Sequence, residues 1–172
     1  MFKPRATVIL GLALTFSVQP VFELPVSSQP TSRLQLATKQ TSSCQAQKNL
    51  ILKAGDGLFY PSESDYAFQY FSNNKMSSLP SPQQFARLIG QQGQQATQVD
   101  FDEFFNELIR NLRSSGAQTE TIRHYQTLRQ VFKSKFTSLT VYRVGRIQVQ
   151  VYITGVNSSC GIAGLKTISI ET

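Results

Sequence analysis

The C-terminal third of the 172-residue chain alternates apolar and polar residues with the period of a β-strand. In its central segment every second residue is apolar: Ile147, Val149, Val151 and Ile153. Turn residues bound this segment on both sides, and Gly145 suits a tight hairpin. The sequence therefore predicts three successive strands, over residues 139–144, 147–155 and 163–171, the last of which ends beside the C-terminus.

The upstream part of the chain predicts four helices and one more strand. A helix over residues 43–54 is capped by Ser43, a second begins at Ser81-Pro82, and two more begin at Asp100 and Thr119. The aromatic segment 66–71 is predicted to be a strand, and the Gly- and Gln-rich residues 90–98 a loop. Strands grouped after helices favour an α+β fold, with a mostly antiparallel four-stranded sheet covered by four helices.

The N-terminus has the layout of a secretory signal peptide. Lys3 and Arg5 precede an uncharged run over residues 6–18. At 1.5 Å per residue this run spans about 20 Å, less than the roughly 30 Å hydrocarbon core of a membrane. We predict a signal peptide over residues 1–28, with an uncleaved anchor as the alternative, and a disordered spacer over 29–43. The protein is then secreted, periplasmic or in the cell envelope, with no membrane span after signal removal.

The chain has two cysteines, Cys44 and Cys160. In an exported protein an even pair is compatible with a disulfide, but two residues form no spacing pattern that separates this from two free thiols. No neighbouring cluster of His or Cys indicates a metal site.

The net charge is +7, and six cationic residues crowd the two central helices. They are Arg110, Arg113, Arg123, Arg129, Lys133 and Lys135. Such residues form either a solvated face or a surface that engages nucleic acid or an acidic envelope partner. His124, the only histidine, has no Ser or Cys nucleophile at motif spacing. The sequence therefore predicts a non-enzymatic protein without a cofactor.

Three blocks of sequence carry a resemblance to a known family. The first, over residues 52–68, contains Ser62-Glu63-Ser64; the second is the acidic-aromatic segment 99–105; the third runs from residue 141 to Thr172. In order and spacing they resemble the nuclease A inhibitor family, whose bacterial members occupy the active site of a DNA/RNA non-specific, metal-dependent nuclease. The resemblance covers residues 44–172, which we assign to one inhibitor-like domain.

The resemblance implies both a fold and a set of contacts. The implied fold is an α/β/α sandwich related in shape to pathogenesis-related-1 proteins. The implied partner is a sugar-non-specific nuclease with its Mg²⁺, contacted through Glu63 and the terminal Thr172, with Asp65 and Glu171 adding negative charge. The chain departs from the family in two respects: it has no Trp to supply the family's tryptophan contact, and residues 113–120 differ.

Overall fold

The computed structural model describes residues 31–171, which form four helices and two antiparallel sheets. The helices are α1 (Thr31–Gly55), α2 (Pro82–Leu88), α3 (Phe101–Ser114) and α4 (Thr119–Lys135). The strands are β1 (Phe59–Tyr60), β2 (Tyr66–Ala67), β3 (Gln69–Asn73), β4 (Ala96–Val99), β5 (Ser138–Val144), β6 (Gln148–Asn157) and β7 (Gly161–Ile170). The predicted signal peptide, the first two residues of the predicted spacer and Thr172 lie outside the described residues.

The larger sheet has five strands in the order β3-β7-β6-β5-β4, and each neighbouring pair is antiparallel. Its longest pairing joins β6 to β7, from Gln148 opposite Ile170 to Asn157 opposite Gly161. The last strand in sequence therefore lies inside the sheet. The smaller sheet is the β1–β2 hairpin, in which Tyr60 lies opposite Tyr66.

The α+β class and the four helices are confirmed, but the prediction of a four-stranded sheet is wrong. Residues 96–98, predicted to end a loop, form the edge strand β4 together with Val99; in its pairing with β5, Ala96 lies opposite Val144 and Val99 opposite Val141. Backbone hydrogen bonds to the longer strand β5 stabilise this strand, because the Gly- and Gln-rich sequence itself has little strand propensity. The strand predicted over residues 66–71 is divided into β2 and β3.

Helix α1 begins at Thr31, earlier than the predicted start at Ser43, so residues 31–43 are helical rather than a disordered spacer. No Pro or Gly interrupts residues 31–54. A disulfide joins Cys44 in this helix to Cys160 in the turn between β6 and β7, with 5.5 Å between the two Cα atoms. One turn earlier, Gln40 Nε2 donates a hydrogen bond of 2.6 Å to the Ser159 carbonyl. Contacts with the end of the sheet thus stabilise α1 near residues 41–44, Thr-Ser-Ser-Cys, where its sequence has low helix propensity.

The predicted starts of α2 and α3 have the expected caps. In α2 the Ser81 hydroxyl accepts from Gln84 N, and Gln84 Oε1 accepts from Ser81 N at 3.0 Å, which is a capping box. In α3 the Asp100 carboxylate accepts from the backbone N–H groups of Asp102 and Glu103 at 2.8 and 2.9 Å. These side chains satisfy N–H groups that have no partner within the helix.

Apolar clusters lie on both faces of the sheet, because successive strand residues point to opposite sides. The larger cluster combines sheet residues such as Val141 and Val151 with α1, α3 and α4. The smaller one joins Tyr142 and Tyr152 to α2, where the rings of Tyr142 and Phe85 stack with centroids 4.0 Å apart. Among residues 31–171, no helix has the length and apolar character needed to cross a membrane.

Removing the disulfide is expected to destabilise the protein strongly. The bridge spans 116 residues, for which the chain-entropy model gives about 4–5 kcal/mol of the free energy of unfolding. The variant Cys44→Ser/Cys160→Ser should therefore unfold at a much lower urea concentration than the oxidised protein. The reduced parent chain is the matched control and should unfold at nearly the same concentration as the variant; equal midpoints for the variant and the oxidised parent would contradict the prediction.

Stability is also expected to fall at high pH because of Tyr142. Its hydroxyl is buried and donates to the Pro80 carbonyl at 2.6 Å, and burial raises the pKa of Tyr142 to about 12. The unfolded chain loses this proton near pH 10. The stabilisation by the buried, protonated Tyr142 hydroxyl is therefore complete below pH 10 and is lost as pH rises through 12. Chemical unfolding from pH 9 to pH 12 should show this decline, and Tyr142→Phe should show less of it. Equal slopes in the two proteins would refute the assignment to Tyr142.

Candidate functional site

The loop of residues 61–65, here called the SES loop, is held at the tip of the β1–β2 hairpin. The Ser62 hydroxyl donates to the Ser64 carbonyl at 2.6 Å, which closes the loop on itself. The side chains of Glu63 and Asp65 are exposed. The loop thus displays two carboxylates at the end of a short, paired hairpin.

One tyrosine hydroxyl and one threonine hydroxyl attach this hairpin to the rest of the molecule. From α4, the Tyr125 hydroxyl donates to the Phe59 carbonyl at the start of β1. From β7, the Thr167 hydroxyl donates to the Tyr66 carbonyl at 3.0 Å. Burial raises the pKa of Tyr125, so its phenol keeps the proton that it donates at neutral pH. The hairpin is therefore fixed between a helix and the last strand.

The end of the chain continues the register of β6 and β7. The Glu171 backbone N–H donates to the Ile147 carbonyl at 2.8 Å, one pair beyond the last pair of the ladder. The Glu171 carboxylate accepts from the Ser169 hydroxyl at 2.9 Å and forms an ion pair with Arg143. Both the backbone and the side chain of the penultimate residue are thus held.

Arg143 also lies beside the hairpin. It lines a cleft of about 540 Å³ between the hairpin, α3 and the sheet, together with Tyr60 and Pro61. Burial raises the pKa of the Tyr60 phenol, and the nearby Arg143 guanidinium opposes that rise. One guanidinium therefore contacts the strand that enters the SES loop and the residue that precedes the C-terminus, which brings these two segments to the same end of the sheet.

Of the four residues predicted as inhibitory contacts, Glu63, Asp65 and Glu171 belong to these two segments, and Thr172 lies outside the described residues. Sequence reasoning missed Arg143. A signal was present, because Arg143 follows Val141 by two residues and so shares the face of β5 that packs into the larger apolar cluster. A charged residue at such a position needs a partner.

In a comparison with protein-family models, residues 45–172 match the nuclease A inhibitor-like protein family. The chain belongs to the nuclease A inhibitor-like family. The match includes both the SES loop and the terminal strand. Comparison with curated protein sequences gives no match.

In this nuclease A inhibitor-like protein, the cationic residues of α3 and α4 are largely paired. Asp102 Oδ1 accepts from Arg129 at 2.6 Å and from Lys133 at 2.8 Å, and these bonds lower the pKa of Asp102. Two exposed pairs lie along single helices, Arg123 with Glu120 at 2.9 Å and Arg110 with Glu107 at 3.9 Å. Within the described part of the chain, Arg113 and Lys135 form no ion pair. The predicted patch is therefore a mixed-charge surface.

The described residues contain no group of three or more His, Cys, Asp or Glu side chains that could hold a metal ion. The acidic residues of the SES loop and the terminal strand are instead separated on two segments, with Arg143 between them.

Removing the Tyr125 hydroxyl should loosen the hairpin. Tyr125→Phe leaves the ring in the core and deletes one hydrogen bond, so we expect the free energy of unfolding to fall by about 1 kcal/mol. Urea unfolding measures the change. Tyr66→Phe in the same hairpin is the control, since only the carbonyl of Tyr66, and not its hydroxyl, takes part in a side-chain hydrogen bond within residues 31–171, and it should change stability by less than about 0.5 kcal/mol. Equal effects of the two substitutions would argue against the anchoring role.

Proposed function

We propose that this protein inhibits a sugar-non-specific, metal-dependent endonuclease by capping its active site with Glu63 and the C-terminal Thr172. The observation that carries the proposal is the approach of the SES loop and the terminal strand to the same guanidinium, on a chain of the nuclease A inhibitor-like family. We further propose that the scaffold corresponds to the family's α/β/α sandwich, because apolar clusters lie on both faces of the sheet.

The chemistry of the target site explains why carboxylates would fit. A nuclease of this class holds a hard cation such as Mg²⁺, which prefers oxygen ligands and keeps positions open for a phosphate oxygen. The Glu63 carboxylate and the terminal carboxylate of Thr172 are oxygen ligands of this kind. Neither contains a phosphodiester bond, so both would occupy the site without being cleaved. Asp65 would add charge that complements cationic side chains around a phosphate site.

Rigidity of the presenting segments would favour tight binding. The SES loop is closed by its own hydrogen bond and attached through Tyr125 and Thr167. A group that is already ordered loses less conformational freedom when it binds. The carboxylate of Glu171 is engaged by Arg143 and Ser169, so we assign it a supporting role rather than a direct contact with the nuclease.

We also propose that the protein acts after export, in the periplasm, the cell envelope or the medium. The disulfide between Cys44 and Cys160 supports this, because structural disulfides persist mainly in oxidising compartments. A basic N-terminus followed by an uncharged run supports it independently.

The alternative, a binding module whose basic helices engage nucleic acid or an acidic envelope partner, has less support. Four of the six cationic residues are paired with carboxylates of the same two helices. Each carboxylate that lies beside a cation also repels a phosphate group. The remaining cations, Arg113 and Lys135, lie on different helices.

The proposal is tested by titrating the purified protein into a sugar-non-specific endonuclease with Mg²⁺ present and measuring DNA cleavage. We expect one-to-one inhibition, and we expect Glu63→Gln and deletion of Thr172 each to weaken it about 30-fold or more. The reason is that truncating one partner of a desolvated charge pair costs about 2 kcal/mol or more.

The control is Glu103→Gln, which removes an exposed carboxylate from the first turn of α3, outside both proposed contact segments. Its inhibition constant should match that of the parent protein. Absence of inhibition at micromolar concentration, or equal potency of the parent and both contact variants, would overturn the proposed mechanism.

A further inference from the structure

Arg143 connects two segments that are far apart in sequence. Its guanidinium forms an ion pair with Glu171, and its side chain lines the same cleft as Tyr60, 83 positions before it in the chain. Its side chain is 26% exposed, so this cation is largely removed from water. A charge in such a place is retained only with compensating partners. Here they are Glu171, which follows β7, and Tyr60 on the strand that enters the SES loop.

The ion pair reaches across the sheet rather than along it. Arg143 belongs to β5, Glu171 follows β7, and β6 lies between those strands. The Glu171 backbone is already hydrogen bonded to Ile147, and its carboxylate also accepts from Ser169. The contact with Arg143 therefore holds the partly exposed Glu171 side chain beside the residue that lines the cleft.

We propose that Arg143 is a positioning residue that sets the SES loop and Glu171 in one fixed relative geometry for binding the nuclease. This inference rests on the proposed function. Arg143 itself need not touch the nuclease; it acts through Tyr60 on one segment and through Glu171 on the other. An arginine suits this role because its planar guanidinium has several N–H donors in a fixed arrangement, whereas a lysine offers a single compact ammonium group.

Three substitutions separate positioning from charge and from folding. Arg143→Met removes the guanidinium and keeps a long side chain, and Arg143→Lys keeps the charge. Arg146→Met is the matched control, since Arg146 lies three residues away, is exposed, and bonds Gln95 Oε1 rather than the terminal strand. Each methionine variant removes one positive charge from the β5–β6 segment.

In the nuclease titration, Arg143→Met is expected to weaken inhibition about tenfold or more, while Arg146→Met changes it less than about twofold. Arg143→Lys should recover part of the loss, because the ammonium can still pair with Glu171. Combining Arg143→Met with Glu171→Gln should weaken inhibition by less than the product of the single effects, since both remove the same interaction. Equal losses for the two methionine variants, or independent effects in the double variant, would overturn the proposal.

A second measurement does not depend on any nuclease. Amide hydrogen exchange by NMR should be about tenfold faster at Glu171 in Arg143→Met than in the parent protein, and unchanged there in Arg146→Met. Exchange in α3 and α4 should be the same in all three proteins, which separates a local loosening from general destabilisation. Unchanged exchange at Glu171, or a uniform increase over the whole chain, would overturn the positioning role. If the parent protein inhibits no nuclease, the proposed function fails, whereas the exchange result still decides whether Arg143 orders the terminus.

Discussion

The antiparallel pairing of β6 with β7 determines the rest of this structure. Ten residue pairs join the two strands, and β7 also pairs with β3 on its other side. The same register places Leu165 in the larger core, Thr167 beneath the hairpin and Glu171 opposite Ile147. A shift by one residue would turn every side chain of β7 to the other face and break all three contacts at once. The geometry of the candidate site is therefore fixed by the same ladder that closes the core.

Much of the fold could be predicted from the sequence where hydrophobic periodicity is strong. The apolar stripe of α3 and the alternation of β6 each match one regular structure, and Ser81 and Asp100 mark helix starts through caps that act locally. Edge strand β4 was missed because four residues give too short a pattern, and its stability comes from β5. The first part of α1 was missed for a similar reason, since its contacts with Ser159 and the disulfide are tertiary.

For the site, candidate residues could be identified from the sequence, but their arrangement could not. The SES loop and the terminus were identified through resemblance to a family, and nothing in their local sequence showed that they approach the same guanidinium. Apolar alternation alone does not identify Arg143, because it is a charged residue on the face of β5 that packs into the core. The pairing of charges between α3 and α4 could not be predicted either: Asp102 pairs with Arg129 and Lys133 on the next helix, and spacing rules within one helix do not detect such pairs.

The position of the last strand has a consequence for the order in which the protein can be assembled. Because β7 lies between β3 and β6, the five-stranded sheet cannot form until residues 161–170 have been synthesised. Cys160 precedes β7 directly, so its bridge to Cys44 also cannot form until the chain has been synthesised as far as residue 160. A nascent chain that lacks β7 therefore has no complete sheet, and one that ends before residue 160 has no disulfide to hold α1.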